Sequence, residues 1–278
     1  MTALADPTTV SLATRFRWAV GDCLALTRRN LTHVRHVPEK LIDVTLQPLM
    51  FVLLFAYVFG GAIHVSGGSY HEYLMGGIVV QTLAFAVMGT AVGLADDIRN
   101  GVIDRFRSLP MARSAVLAGR ALADTLANVL ALAVLVVAGL IVGWRIHDGA
   151  GSAIAGFALV LLFSYAMTWA GILLGLLVRG PEGAQGFVFV AIFPLTFLAN
   201  TFVSTQDLPS GLREVAEWNP ISAVVAAVRD LFGNPSGLPA DPAWPLAHAV
   251  PVAIAWCLAI LAVCVPLAVR RYRVATAR

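Results

Sequence analysis

Hydrophobic residues in this chain come in long runs, not in the alternation of a half-buried strand. The runs lie at about 41–63, 74–95, 121–143, 153–178, 184–203 and 248–269. Each is near the roughly 20 apolar residues that a helix needs to cross a bilayer. They predict an all-α, polytopic membrane protein with six transmembrane helices, the first kinked at Pro48. Residues 1–40 then form a tail with an interfacial helix, 41–270 the transmembrane domain, and 271–278 a second tail.

Three polar stretches carry patterns of their own. In residues 11–31, Leu12, Phe16, Ala19, Val20, Cys23, Leu24, Leu26 and Leu31 fall within an arc of roughly 160° on a helical wheel. Arg15, Arg17, Arg28 and Arg29 occupy the opposite arc, where Trp18 is a slight exception. The stretch is too polar to span. It fits an amphipathic helix in the headgroup region, its arginines facing anionic lipid or a partner. An ordinary soluble helix is the plainer alternative, but the chain offers no soluble domain for it to pack on. Residues 1–10 read as a disordered tail. The N-terminal segment lacks the pattern of a signal peptide, so the first run is expected to act as an uncleaved insertion signal.

The second stretch is 96–120, DDIRNGVIDRFRSLPMARSAVLAGR, between two of the runs. On a helix, Val102, Ile103, Phe106 and Leu109 share one side, while Asp104, Arg105, Arg107 and Ser108 point elsewhere. Pro110 should end that helix, since proline disfavours a helical residue before it and lacks an N–H. A basic amphipathic helix between two spans suits the docking of a soluble partner. The third stretch is 204–247. Residues 209–218 form a short helix candidate beginning near Leu208-Pro209. After Asn219-Pro220 comes an apolar piece, 221–232, that is too short to span and contains Arg229 and Asp230. Two short helices beside a full span suggest an external re-entrant hairpin, tolerated at membrane depth only where protein or water shields the backbone. An external loop with surface helices remains the alternative.

Composition agrees with lipid as the main solvent: 59% of residues are hydrophobic and only 13% charged, about half the charged share of a soluble domain. The net charge of +3 matters less than its distribution. With both termini inside, sixteen of the nineteen lysines and arginines fall on cytoplasmic segments, as the positive-inside bias requires. The basic residues flank spans and form no continuous face, so nucleic-acid binding is not expected. Cys23, Cys257 and Cys264 read as free thiols, because the last two share a helix face and the first is far away.

Chemistry is sparse. A P-loop needs lysine after a glycine-rich turn, and the single lysine, Lys40, lies in VPEKLI. No metal-ligand cluster and no nucleophile elbow is seen. His33 and His36 read as solvated surface, and His64 and His71 have no evident ligands. Asp43 and Asp124 lie near the cytoplasmic ends of spans, within reach of water or an arginine. The middles of the runs hold almost no charge, where an ion-driven carrier would place a carboxylate or histidine. No catalytic residue, metal or cofactor is therefore assigned to this chain, and its energy must come from elsewhere. Three Gly-x-x-x-Gly pairs, Gly89/Gly93, Gly139/Gly143 and Gly171/Gly175, are candidates for close helix crossings.

Three features together resemble the membrane subunits of bacterial type-2 ABC exporters, the daunorubicin-resistance-like permeases in particular. They are GVIDRFRSLPMARSAVLAGRALAD, LPSGLREVAEWNPISAVVAAVRDLF, and the basic amphipathic helix before the first span. The likeness covers about 15–270. The second motif is the most specific, and IDRF at 103–106 departs from the commoner Leu-Glu-Arg while keeping the acidic-Arg order. The resemblance implies six spans per subunit, a dimer of permeases, and a separate ABC ATPase on the cytoplasmic face that holds the ATP and magnesium. It implies a multi-pass protein of the bacterial cytoplasmic membrane whose loop 96–120 is the coupling segment. Val102, Ile103, Asp104, Arg105, Phe106, Arg107 and Leu109 would enter the ATPase groove. The expected cargo is an amphiphilic small molecule: a drug, an antibiotic or a lipid-like compound. Export of a lipid-linked glycan is the rival within the class, and ion-driven secondary transport or an assembly factor the rivals outside it.

Overall fold

The computed structural model describes residues 46, 49–59, 69–101, 113–202, 205, 208–239 and 241–275. Nine helices and no strand are found among them. α1 covers 49–59, its last six residues, Leu54–Phe59, wound as π-helix. The long helices are α2 (Tyr70–Arg99), α3 (Arg113–Val142), α4 (Gly149–Leu177) and α9 (Ala249–Ala275), with α5 (Gly180–Phe197) shorter. Three short helices, α6 (Ser210–Glu217), α7 (Pro220–Phe232) and α8 (Trp244–Ala247), lie between α5 and α9.

α2, α3, α4 and α9 are long and apolar enough to cross a membrane. The described part of α1 is apolar but shorter, and α5 has 18 residues with Glu182 in its first turn. The long helices overrun the apolar stretches of the sequence. α2 takes in four residues before 74 and four after 95, because backbone hydrogen bonds continue until a cap ends them. Ser69 supplies that cap at the start, its hydroxyl accepting from the His71 N–H at 3.3 Å. The segment between the α2 and α3 helices is correspondingly shorter than 96–120. It runs from Asn100 to residue 112, and 102–112 lie outside the described residues.

α2 and α4 form the centre. Water expulsion does not drive helices together in lipid, so close backbone approach and van der Waals contact must hold the crossing. Gly171 and Gly175 of α4 provide it: a Cβ at either would lie 2.8 Å from the Val87 carbonyl or 2.7 Å from that of Ala91. The other two pairs behave differently. Gly89 faces open space, while Gly93 makes room for the Arg120 guanidinium. Gly139 gives way to Met75, whose Cε would sit 2.6 Å from an added Cβ, and Gly143 turns the chain at φ +103°.

α5 buries only the stripe Ala184, Val188, Ile192 and Thr196. It lies mainly along α2, with α4 at its margin. α7 is the opposite case. Ile221 through Arg229 and Phe232 are all buried, packed among α2, α4 and α9. Loop contacts then sort the helix ends into two groups. The start of α2, the α3–α4 loop, the turn after α5 and the segment after α7 meet at one end. The end of α2 and the starts of α3 and α5 meet at the other. There Tyr272, near the end of α9, packs with Leu94, Leu117 and Trp169.

Candidate functional site

The first end is organised around α7. Asn219 caps it, the side-chain oxygen accepting from the Ile221 N–H at 2.9 Å, and Pro220 occupies the first turn. The same amide donates from Nδ2 to the Leu195 carbonyl at 2.6 Å, fastening α7 to α5. Gly233, left-handed at φ +65°, closes the other end. The capping chemistry explains why so short a helix keeps fixed ends.

Arg229 is fully buried on α7. Nε donates to the Tyr73 carbonyl at 2.8 Å, Nη1 to that of Asn200 at 2.8 Å, and Nη2 to that of Thr201 at 2.9 Å. The guanidinium carbon lies 3.4 Å from the centroid of the Tyr73 ring. Tyr73 also donates its hydroxyl to the Asn200 carbonyl at 3.0 Å. Among the described residues no carboxylate pairs with this arginine. Its compensation is instead the carbonyl-rich turn after α5, where the negative end of a helix dipole meets a cation, together with the ring face. Two glycines make the approach possible. A Cβ at Gly76 would lie 2.9 Å from Arg229 Cγ, and one at Gly77 would collide with the Thr201 carbonyl.

The knot extends to the α3–α4 loop. Trp144 is buried against Phe232, ring centroids 5.4 Å apart, and donates from Nε1 to Asn234 Oδ1 at 2.7 Å. Asn234 donates in turn from Nδ2 to the Arg145 carbonyl at 2.8 Å. The His147 ring pairs with Glu72 at 2.8 Å. α6 is held more loosely. Arg213 reaches the Leu208 carbonyl at 3.4 Å and its N–H donates to the Pro209 carbonyl, while Leu212, Val215 and Trp218 stay exposed.

The opposite end is ionic. Arg120 of α3 pairs with Asp97 of α2, and lies 3.5 Å from Asp124 one turn on. Arg99 meets Asp96 at 3.2 Å and Glu182 of α5 at 3.1 Å. These pairs join the two stems of the segment 102–112 to each other and to α5.

With the geometry described, two comparisons with known proteins bear on what it serves. Residues 21–232 match the family described as ABC-2 type transporter. The chain belongs to the ABC-2 type transporter family. It is 33% identical over 255 residues to the daunorubicin resistance ABC transporter permease protein DrrB1 of Streptomyces coeruleorubidus, covering 92% of this chain and 87% of that one. It is 25% identical over 187 residues to the doxorubicin resistance permease DrrB of Mycobacterium tuberculosis, covering 67% and 65%. A putative transport permease, ycf38, of Porphyra purpurea is 23% identical over 219 residues, covering 77% and 75%. An ABC-2 chain is the membrane-embedded permease part of an ABC transporter, which accords with four long apolar helices.

Set against this ABC-2 chain's expected sites, Leu208, Pro209, Asn219, Pro220 and Arg229 all fall in the knot or its approach. Arg15, Arg17, Arg28 and Arg29, and the residues expected to contact an ATPase, Val102, Ile103, Asp104, Arg105, Phe106, Arg107 and Leu109, lie outside the described residues. Tyr73, Asn200 and Trp144 were not foreseen from sequence. Their role depends on partners far along the chain, such as the 156 residues between Arg229 and Tyr73, and no local pattern encodes that.

Proposed function

We propose that this chain is the permease subunit of an ATP-driven exporter that moves an amphiphilic small molecule, of the drug or antibiotic class, out across a bacterial cytoplasmic membrane. The observation that carries the reading is the likeness over 92% of the chain to a daunorubicin resistance permease. Energy would enter from a separate ABC ATPase, which holds the ATP and magnesium, and a second permease subunit, a homodimer being the simplest form, would complete the pathway.

In this reading the ionic end is cytoplasmic and the Arg229 end external, as the distribution of arginine favours. Residues 102–109 would dock in the ATPase, with Val102, Phe106 and Leu109 giving apolar contact and Arg105 and Arg107 polar contact. The Arg120–Asp97 pair and the Arg99–Glu182 pair would let a push on that segment reach α2, α3 and α5 together. α6 and α7 would form the external re-entrant hairpin, closed by Arg229. α7, 13 residues long, spans about 20 Å, and its burial supports an element shielded by protein over a surface helix.

Co-purification tests the partner. The tagged chain should capture its cognate ABC ATPase, and Arg105→Glu should cut that capture several-fold while leaving membrane insertion intact. Undiminished capture by the variant would remove the coupling segment from this account.

A further inference from the structure

Arg120, near the start of α3, has two carboxylates within reach. It pairs with Asp97 on α2 and lies 3.5 Å from Asp124, one turn further along its own helix. Asp96 does not compete for it, being paired with Arg99. One guanidinium therefore serves two acids, and it serves them unequally. Nη1 donates to Asp97 Oδ2. Arg120 Nε and Asp124 Oδ2 face each other at 3.5 Å, yet both atoms are buried and neither makes a hydrogen bond among the described residues. A buried charged donor and acceptor left unjoined are costly. A charge-assisted N–H···O bond closes at roughly 2.7–2.9 Å, so this second pair stands less than an ångström short of forming.

The surroundings leave room for it to form. The guanidinium lodges against the α2 backbone only because residue 93 is glycine, since a Cβ there would collide with Arg120 Nη2. Just beyond Asp124, the Thr125 hydroxyl donates back to the Ala121 carbonyl at 2.7 Å, a bond that bends helices. Leu117 and Ala121, on either side of Arg120, belong to a small apolar cluster with Leu94, Trp169, Ala268 and Tyr272, separate from the central core. The first turns of α3 are thus fastened to α2 by this cluster and by the ion pair, and the bend at Thr125 divides them from the rest of the helix.

We propose that Asp124 is a positioning residue for transport: Arg120 holds α3 to α2 through Asp97 in the conformation described, and passes to Asp124 when ATP binding draws residues 102–112 into the ATPase. α2 follows the start of α3 until the guanidinium changes partner, and the bend at Thr125 takes up the remaining movement. Arg120 stays paired in both conformations, so neither leaves a bare buried cation. Asp97, 38% exposed against 26% for Asp124, is the acid released to water. The inference rests on the exporter reading and adds to it the side chains that distinguish its two conformations.

The test uses the permease–ATPase complex in nanodiscs of phosphatidylethanolamine and phosphatidylglycerol, with hydrolysis followed against ATP concentration. If ATP favours the second conformation, the KM for ATP measures how readily that conformation is reached. Asp124→Asn should raise KM about fivefold, and Asp97→Asn should lower it by a similar factor. Asp124→Glu keeps the acid and should lie nearer to wild type than Asp124→Asn. Gly93→Ala touches neither acid but crowds the guanidinium off α2, so it should lower KM as Asp97→Asn does. Gly89→Ala, facing open space on the same helix, should leave KM unchanged. A merely structural ion triad would move KM in one direction whichever acid is lost, so shifts of the same sign, or none, would overturn the proposal. Should Asp97→Asn fail to assemble, Gly93→Ala and Asp124→Asn carry the same contrast, and equal KM values in those two would overturn it as well. A wild-type complex that hydrolyses ATP and exports, while the variants show no contrast, would overturn this inference alone. A wild-type chain that assembles with no ABC ATPase would overturn the exporter reading itself.

Discussion

Arg229 is fully buried and spends its guanidinium entirely on backbone carbonyls and one ring face. Three backbone carbonyls from α2 and the turn after α5 converge on its guanidinium. Arg229→Ala would strip the Thr201 carbonyl of its guanidinium partner and leave a void beneath Tyr73. A buried acceptor that loses a charged donor costs about 1–3 kcal/mol, and with the void the total is expected on the order of 3 kcal/mol. Thermal unfolding of the detergent-solubilised chain should show this as a clear drop in Tm, with Arg229→Lys intermediate because one ammonium cannot imitate the planar fork. An alanine variant as stable as wild type would show that the knot is not a structural closure. The arginine could be picked out in sequence as the end of the motif LPSGLREVAEWNPISAVVAAVR, in an apolar piece whose only other charge is Asp230. Its partners could not, since backbone carbonyls have no signature in sequence.

Among the elements, the α2–α4 crossing shows how much spacing alone can say. All three Gly-x-x-x-Gly pairs looked equivalent, yet only Gly171/Gly175 meets a neighbouring helix backbone along its length. The difference lies in which helix face each pair occupies, and that is set by tertiary packing. Gly175→Ala should therefore push α4 off the Ala91 carbonyl and cost about 1–3 kcal/mol, while Gly89→Ala, which meets nothing within 4 Å, should be neutral or slightly stabilising through helix propensity. Parallel melting of the two variants checks the contrast, and equal effects would contradict the crossing. The short helices α6 and α7 were legible because Pro209, Asn219, Pro220 and Gly233 are strong local punctuation. The burial of α7 was not, because its apolar residues suit a surface helix as well until α2, α4 and α9 are placed around it.

At the scale of the whole molecule, the long apolar runs and the near-absence of charge in their middles already pointed to a membrane chain, and the family match places it as the permease part of an ABC transporter. The structure adds a two-ended arrangement in which ion pairs tie the helices flanking residues 102–112 to each other and to α5, and a capped, buried helix secures the opposite end. If force passes through those stems, Phe106→Ala and Asp97→Asn should each lower export several-fold while the partner continues to hydrolyse ATP, so that the ratio of transport to hydrolysis falls. Equal loss of both activities would mean failed assembly. The most direct test of the central claim is doxorubicin uptake into inside-out vesicles containing the chain, with and without its cognate ABC ATPase, driven in turn by ATP and by a proton gradient. The account predicts uptake only with the ATPase and ATP together, abolished by a hydrolysis-dead partner. Uptake by the chain alone on a proton gradient would contradict it.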